Sequence, residues 1–293
     1  MKELVVISGK GGTGKTSIVA SFCALAENKV MADCDVDAAD LHLLLEPQIR
    51  HREEFHSSMS VVIDLDRCVG CDRCREVCRY GAISEEYAVD KIACEGCAVC
   101  VHFCPQQAIE LQESLSGEWF ISDTRFGPLV HARLGIAEEN SGKLVALVRQ
   151  NARELAEKQG RDLILVDGAP GIGCPVIASL TGATAVLVVT EPTLSGIHDM
   201  KRVVELTEHF QIPAFVCVNK FDLNAELSEQ VEVFCRERRL KLVGRIPYDT
   251  VVTKAMVQGK TVVEYSSGLV AKEIERLWRH LEYVLMEGGE ADG

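Results

Sequence analysis

Two short runs hold eight of the chain's thirteen cysteines. The first is Cys68-x2-Cys71-x2-Cys74-x3-Cys78; the second is Cys94-x2-Cys97-x2-Cys100-x3-Cys104, followed by Pro105. Thiolates at this spacing suit the corners of a [4Fe–4S] cube. Paired Cys-x2-Cys units also suit a structural zinc ion, but the third and fourth cysteines of each run argue against that reading. Nearer the start of the chain, Gly9-Lys10-Gly11-Gly12-Thr13-Gly14-Lys15-Thr16-Ser17 is a phosphate-binding loop. Its glycines let backbone N–H groups converge on phosphate oxygens at a helix N-terminus. Lys15 is placed to reach the β- and γ-phosphates of a nucleotide, and the Thr16 hydroxyl to hold Mg²⁺. One polypeptide thus carries the parts for nucleotide binding and for one-electron chemistry.

The elements that must position these groups follow from the apolar pattern. Lys2–Ile7 is a β-branched run ending in Ser8 and glycines, which reads as a buried strand. Thr16–Glu27 carries Ile18, Phe22 and Leu25 at helical spacing, and Lys29–Asp33 reads as a second strand. From Arg52 to about Ser60 the sequence turns polar and irregular. The cysteine segment then repeats itself, residues 63–83 against 93–109, each half a cysteine run followed by Gly-Ala-Ile or Gln-Ala-Ile. Beyond it, Trp119–Ser122 reads as an edge strand, Thr124–Leu134 (with Arg125, His131 and Arg133) as a surface loop, and Gly142–Gln159 as a helix. Leu163–Val166 is a strand ending in Asp167; Thr184–Val189, Ala214–Val218 and Leu242–Ile246 are three more, each preceded by a helical stretch. Strands alternating with helices predict an α/β fold, a doubly wound and mainly parallel sheet, because parallel neighbours need a crossover helix. The expected organisation is one discontinuous domain, 1–60 and 112–293, interrupted by a small α+β insert, 61–111. Such an insertion costs little, since closure entropy grows slowly with loop length.

Gly-Lys-Gly-Gly-x-Gly-Lys-Thr, with its early lysine Lys10, resembles the deviant Walker motif of the MinD/ParA/Mrp superfamily, to which the nitrogenase iron protein belongs. The resemblance implies ATP as the nucleotide and a dimer in which Lys10 reaches the partner's nucleotide. There a second ammonium group neutralises charge developing on the transferred phosphoryl group. Asp33-Cys34-Asp35 resembles the family's Asp-x-Asp switch, which implies that Asp35 orients the attacking water. Asp37 and Asp40 are rivals for that role, or else complement a helix dipole. Asp167, followed by Gly168-Ala169-Pro170-Gly171, resembles the Walker B segment. With Thr16 and Asp33 it forms the implied Mg²⁺ set. Asn219-Lys220 and Pro247-Tyr248-Asp249 resemble adenine-contacting segments.

The cysteine segment resembles bacterial-type two-cluster ferredoxins over about fifty residues. There the fourth cysteine of each run crosses to the other cube. The resemblance therefore implies that Cys68, Cys71, Cys74 and Cys104 hold one [4Fe–4S] cluster and Cys78, Cys94, Cys97 and Cys100 the other. Cys78 is followed by Arg79 where the pattern has proline. Cys23, Cys217 and Cys235 fall in apolar patterns and read as packing residues. Cys34 lies between switch carboxylates, where an electrostatic or redox role competes with burial. Cys174, seven residues beyond Asp167, matches a cluster ligand of the nitrogenase iron protein, but the second cysteine that such a shared cluster needs is missing. The late Cys-x2-Cys pair of Mrp-type carriers is missing too.

A net charge of −13 argues against electrostatic capture of nucleic acid. The longest apolar runs are too short to span a bilayer, and the phosphate loop follows the first strand too closely for a signal peptide. A cytoplasmic protein without membrane insertion is expected. Ile274, Leu277, Trp278, Leu281 and Leu285 share one helical face that should pack on the core. MinD proteins end in a membrane-binding helix, but here acidic Glu287, Glu290 and Asp292 close the chain, whereas anionic lipid favours a basic face. The leading expectation is a nucleotide-driven dimer, of identical or related subunits, that passes electrons to a redox partner protein. A cluster- or metal-delivery ATPase and a redox-sensing regulatory ATPase are the alternatives.

Overall fold

The structure is a computed structural model and describes residues 1–135 and 141–287. Glu290 and Asp292 lie outside the described residues, as does the side chain of Glu287. Among the described residues the chain forms nine strands: β1 (Lys2–Ile7), β2 (Lys29–Asp33), β3 (Gln48–Ile63), β4 (Ile109–Thr124), β5 (Gly127–Leu134), β6 (Leu163–Asp167), β7 (Ala185–Thr190), β8 (Ala214–Asn219) and β9 (Lys241–Ile246). They form one sheet in the order β3-β4-β5-β2-β6-β1-β7-β8-β9. From β5 through β9 every neighbouring pair in that order is parallel. Apart from β2 to β5, which are joined through β3 and β4, consecutive parallel strands are bridged by a helix, as their geometry demands: Lys15–Leu25 follows β1, Ser141–Gln159 follows β5, and Leu194–His209 follows β7. Strand β6 slots between β1 and β2. This sets Val6, Asp167, Asp33 and His131 side by side in register across four strands. The carboxyl ends of those central strands are where an open α/β sheet presents a ligand crevice.

Three expectations change. Arg52–Ser60 is not irregular; it lies within β3, most of whose side chains are exposed. Such a strand is held by its ladder and by cross-strand pairs such as Arg50–Asp123 (2.7 Å), so it shows no apolar alternation. Trp119–Ser122 is the interior of β4, flanked by β3 and β5, rather than an edge. Thr124–Leu134 is not a surface loop: beyond the two-residue turn Arg125-Phe126 it is β5, with Leu129, Val130 and Ala132 buried. Arg125 is tied to the Leu44 and Gly259 carbonyls at 2.8 and 3.0 Å and to Glu264 at 2.9 Å.

His131 is buried with them, stacked on Phe120 and bonded to Ser122 at 2.9 Å. Burial, with His42 nearby, lowers its imidazole to about 4. An unfolded chain takes up that proton below pH ~6.5. The stability this neutral histidine leaves intact above that pH is therefore lost as pH falls towards the folded value. The full loss is on the order of 3 kcal/mol. Urea-unfolding midpoints of wild type and His131→Leu, measured between about pH 7.5 and pH 5, should diverge in slope, the variant being flatter. Parallel curves would refute neutral burial.

The chain divides into two compact units: Met1–Arg52, Trp119–Ala132 and Gly142–Gly293 in the first, Glu53–Glu118 and Arg133–Ser141 in the second. In the first, a large core joins β1, β2, β6 and β7 to the helix Lys15–Leu25 and the last helix, Leu269–Glu287. Ile274, Leu277, Trp278, Leu281 and Leu285 of that last helix are all buried there. No helix among the described residues is long and apolar enough to cross a membrane.

The second unit shows the sequence repeat in three dimensions. Asp72 and Ala98, at matching places in the two cysteine runs, both adopt φ near 60° (60° and 61°) and precede short helices, Arg73–Val77 and Val99–Phe103. Cys68 and Cys94 each donate their N–H four residues back, to Asp64 and Asp90 at 3.0 Å. Val61, Cys74, Ile83, Cys100 and Ile109 form its core.

Candidate functional site

A cavity of about 450 Å³ opens at the carboxyl ends of β1, β2 and β8. Ser8, Gly11–Ser17, Asp35, Asp40 and Pro170 line one part of it. Asn219, Lys220, Pro247, Tyr248 and Asp249 line another, beside an apolar wall that includes Ile18, Met256 and Ile274. The phosphate loop ends where Gly14, at φ 86°, turns into the helix Lys15–Leu25, whose first N–H groups have no partner within the helix. A side chain at Gly14 would collide with the Asn219 amide, and one at Gly9 with the backbone of Asp199. The amide of Asn219 donates to the Thr13 carbonyl at 2.7 Å, tying β8 to the loop.

Four charged side chains gather here: Lys15 and Asp35 line the cavity, while Asp33 and Asp167 are buried and are not among its lining residues. Lys15 Nζ lies 2.5 Å from Asp167 Oδ1 and 3.4 Å from Asp35 Oδ2. Burial disfavours the ammonium group, yet Asp167 and Asp35 outweigh it and hold its pKa above the ordinary lysine value. Asp33, fully buried beside Asp167, is pushed well above the carboxylate range by burial and then by that neighbour. Asp35 rises through burial while Lys15 pulls it back. Asp33 Oδ2, Asp167 Oδ2 and Thr13 Oγ1 are buried without a hydrogen-bond partner. Orphaned carboxylate oxygens beside a phosphate loop are the hard donors that Mg²⁺ selects, directly or through its waters, so these residues fit the ion. Asp37 is exposed, and Asp40 precedes the short helix Leu41–Leu45 without capping it through its side chain. Of the three candidates for the water-orienting residue, Asp35 alone is both buried and in contact with Lys15.

Lys10 and Gly9, unlike the rest of the loop, are not among the residues lining the cavity. Lys10 Nζ meets Glu191 Oε1 at 2.7 Å, with Ser195 and Thr193 hydroxyls at 3.2 and 3.4 Å. Sequence reasoning missed Glu191. Its signal was a carboxylate one residue beyond an apolar strand (Thr190-Glu191-Pro192).

In the second unit the eight thiols collect in two groups. Cys68, Cys71, Cys74 and Cys104 line one small cavity, with Ile63, Val69 and Ile109 among its walls. Cys78, Cys94, Cys97 and Cys100 line the other, with Val61, Ala82 and Ile83. The fourth cysteine of each run has crossed to the other run's cavity. Arg79 does not disturb this, since Gly81 N–H closes on the Cys78 carbonyl (3.4 Å) as Gln107 N–H does on Cys104 (3.2 Å). A cubane interposes its own iron and sulfide between the thiolates of such a set. Burial raises the Cys74 and Cys100 thiols, a cost that bound metal offsets. Four soft donors in an apolar pocket fit an iron–sulfur cube. Of the other cysteines, Cys23, Cys34, Cys217 and Cys235 are buried, while Cys174 is exposed at the start of the helix Cys174–Leu180.

Comparison with known proteins agrees with both units. A Methanocaldococcus jannaschii protein, MJ0578, is 29% identical over 284 residues, 96% of either chain. The pyruvate synthase subunit PorD of Methanothermobacter marburgensis is 38% identical over 50 residues, 17% of this chain and 62% of that one. With a similarly short match to a ferredoxin of M. jannaschii, it supports an iron–sulfur domain of ferredoxin type. Among solved structures, the septum site-determining protein MinD of Pyrococcus horikoshii, complexed with Mg-ADP, superposes with a TM-score of 0.59 at 16% identity, covering 99% of both chains. At that identity the likeness is one of fold. The family described as the CobQ/CobB/MinD/ParA nucleotide binding domain matches residues 4–262, and the chain belongs to that family.

Proposed function

We propose that this protein is a cytoplasmic ATPase (ATP and water to ADP and phosphate) that couples a nucleotide-driven dimer switch to electron transfer through two [4Fe–4S] clusters. The observation that carries the reading is the sorting of eight thiols into two sets of four, in a chain whose other unit holds a phosphate-loop cavity. In this reading residues 1–60 and 112–293 bind the nucleotide and 61–111 is the inserted electron carrier. The loop N–H groups and Lys15 hold the phosphates, Thr16, Asp33 and Asp167 hold Mg²⁺, and Asp35 orients water. Asn219, Pro247 and Asp249 contact adenine, and Lys10 serves the nucleotide of a second subunit, identical or related. The clusters supply one-electron carriers when bound. Cluster delivery is the weaker reading, because a cube with all four thiolates in place leaves no open site for an acceptor.

A nucleotide shifts a switch only by its differential affinity for the two states, and that coupling is reciprocal. Redox titration with and without Mg-ATP tests it. The expected result is a potential shift for at least one cluster, matched by a change in ATP affinity on reduction: about 59 mV for each tenfold change. Identical potentials and identical ATP affinities in the two redox states would overturn the coupling.

A further inference from the structure

Glu191 has no part in the reading above, yet it joins two of the site's cations. Its side chain is 13% exposed and meets Lys10 at 2.7 Å through one oxygen and Lys220 at 3.0 Å through the other. The two lysines face different places. Lys220 lines the nucleotide cavity and also donates to the Gly12 carbonyl at 3.0 Å. Lys10 stands outside the cavity, its other contacts being the Thr193 and Ser195 hydroxyls at the start of the helix Leu194–His209. The local backbone keeps the carboxylate there: a Cβ at Gly196 would strike the Glu191 carbonyl, and Thr193 caps the helix by accepting from the Gly196 N–H at 3.0 Å. Burial would raise the carboxyl's pKa, but the bonds from Lys10 and Lys220 outweigh it and hold it below the ordinary value. The negative charge is therefore present at neutral pH.

We propose that Glu191 is the resting counter-ion of Lys10: it occupies this ammonium group with a carboxylate of its own chain until the phosphates of a nucleotide on a second subunit replace it. The inference rests on the reading that Lys10 acts across a dimer. It adds a named competitor to that step. Association must break the Lys10–Glu191 pair, and the phosphates must out-compete a carboxylate already in place. Glu191 is thus a positioning residue, and the quantity it sets is the ATP concentration at which subunits associate.

Sedimentation velocity of the cluster-loaded protein across a series of Mg-ATP concentrations tests this, with wild type, Glu191→Gln, Glu191→Asp, Lys10→Ala and the double variant Glu191→Gln/Lys10→Ala. Glutamine keeps the shape and one acceptor but removes the charge. Glu191→Gln is expected to associate at lower ATP, by up to about fivefold, the upper end of the range for one partly exposed ion pair. Glu191→Asp should keep a wild-type midpoint, and Lys10→Ala should abolish association in either background. Nucleotide affinity at dilutions where the protein is monomeric, and thermal unfolding, identify a variant that is merely misfolded. A folded Glu191→Gln that associates as wild type does, or more weakly, overturns the counter-ion while leaving the dimer reading intact. Wild type that does not associate with ATP, or Lys10→Ala that associates normally, overturns the dimer reading and the counter-ion with it.

Discussion

Lys15→Ala is expected to lower Mg-ATP affinity by on the order of 100-fold or more, and to destabilise the nucleotide-free protein as well. The two effects have separate causes. The first is loss of the ammonium group that would face the β- and γ-phosphates. The second follows from Asp167 at 2.5 Å and Asp35 at 3.4 Å, with Asp33 buried beside them. Without nucleotide, Lys15 is the cation these carboxylates share. Its removal leaves buried acids uncompensated, a change that typically costs about 3–5 kcal/mol unless protons are taken up instead. Calorimetric titration with Mg-ATP measures the first effect, and urea unfolding without nucleotide the second. Added Mg²⁺ should restore part of the lost stability, because the ion takes the place of the ammonium group among the same oxygens. A variant that bound Mg-ATP as wild type does would end the assignment of Lys15.

Cysteine replacements across the repeat should be non-additive in a pattern fixed by the crossing. Cys104→Ser and Cys68→Ser each damage the cavity lined by Cys68, Cys71, Cys74 and Cys104. Cys78→Ser and Cys94→Ser damage the other. The double variant Cys68→Ser/Cys104→Ser is therefore expected to lose one cluster, like either single variant, and to retain about half the iron. Cys94→Ser/Cys104→Ser, with both changes inside one sequence run, should lose both clusters. Iron analysis and the electron-paramagnetic spectrum of the reduced protein distinguish the cases. If the variant with both changes in the second run kept one intact cube, each run would ligate its own cluster and the crossing would be wrong.

Much of this molecule was legible because its strongest signals are local. A phosphate loop lies between a strand and a helix, carboxylates sit at strand ends, and paired Cys spacings repeat. The doubly wound sheet followed from apolar runs of strand length separated by helical stretches. Arg52–Ser60 failed because a strand with most of its side chains exposed has no alternation to read. Gly127–Leu134 failed because His131 and Arg133 made a buried strand look like a loop, and burial of a neutral imidazole beside Ser122 and Phe120 is decided by partners from another strand. The place of Glu191 is hidden in the sequence for a similar reason. Lys10 and Lys220 are 210 positions apart in the sequence, and only the fold brings them to one carboxylate.

The order of strands in the sheet also bears on how the protein is made. Because β6 lies between β1 and β2, the segment that carries β1 and β2 leaves the ribosome unable to close its own sheet. The phosphate loop is synthesised well ahead of Asp167 and Asp249, which arrive only after the whole cysteine segment has emerged. At ordinary elongation rates that interval is on the order of ten seconds. During it every thiol of both cavities is already present, while the nucleotide cavity still lacks several of its walls. The two cysteine cavities can therefore form on the nascent chain before the nucleotide cavity is complete.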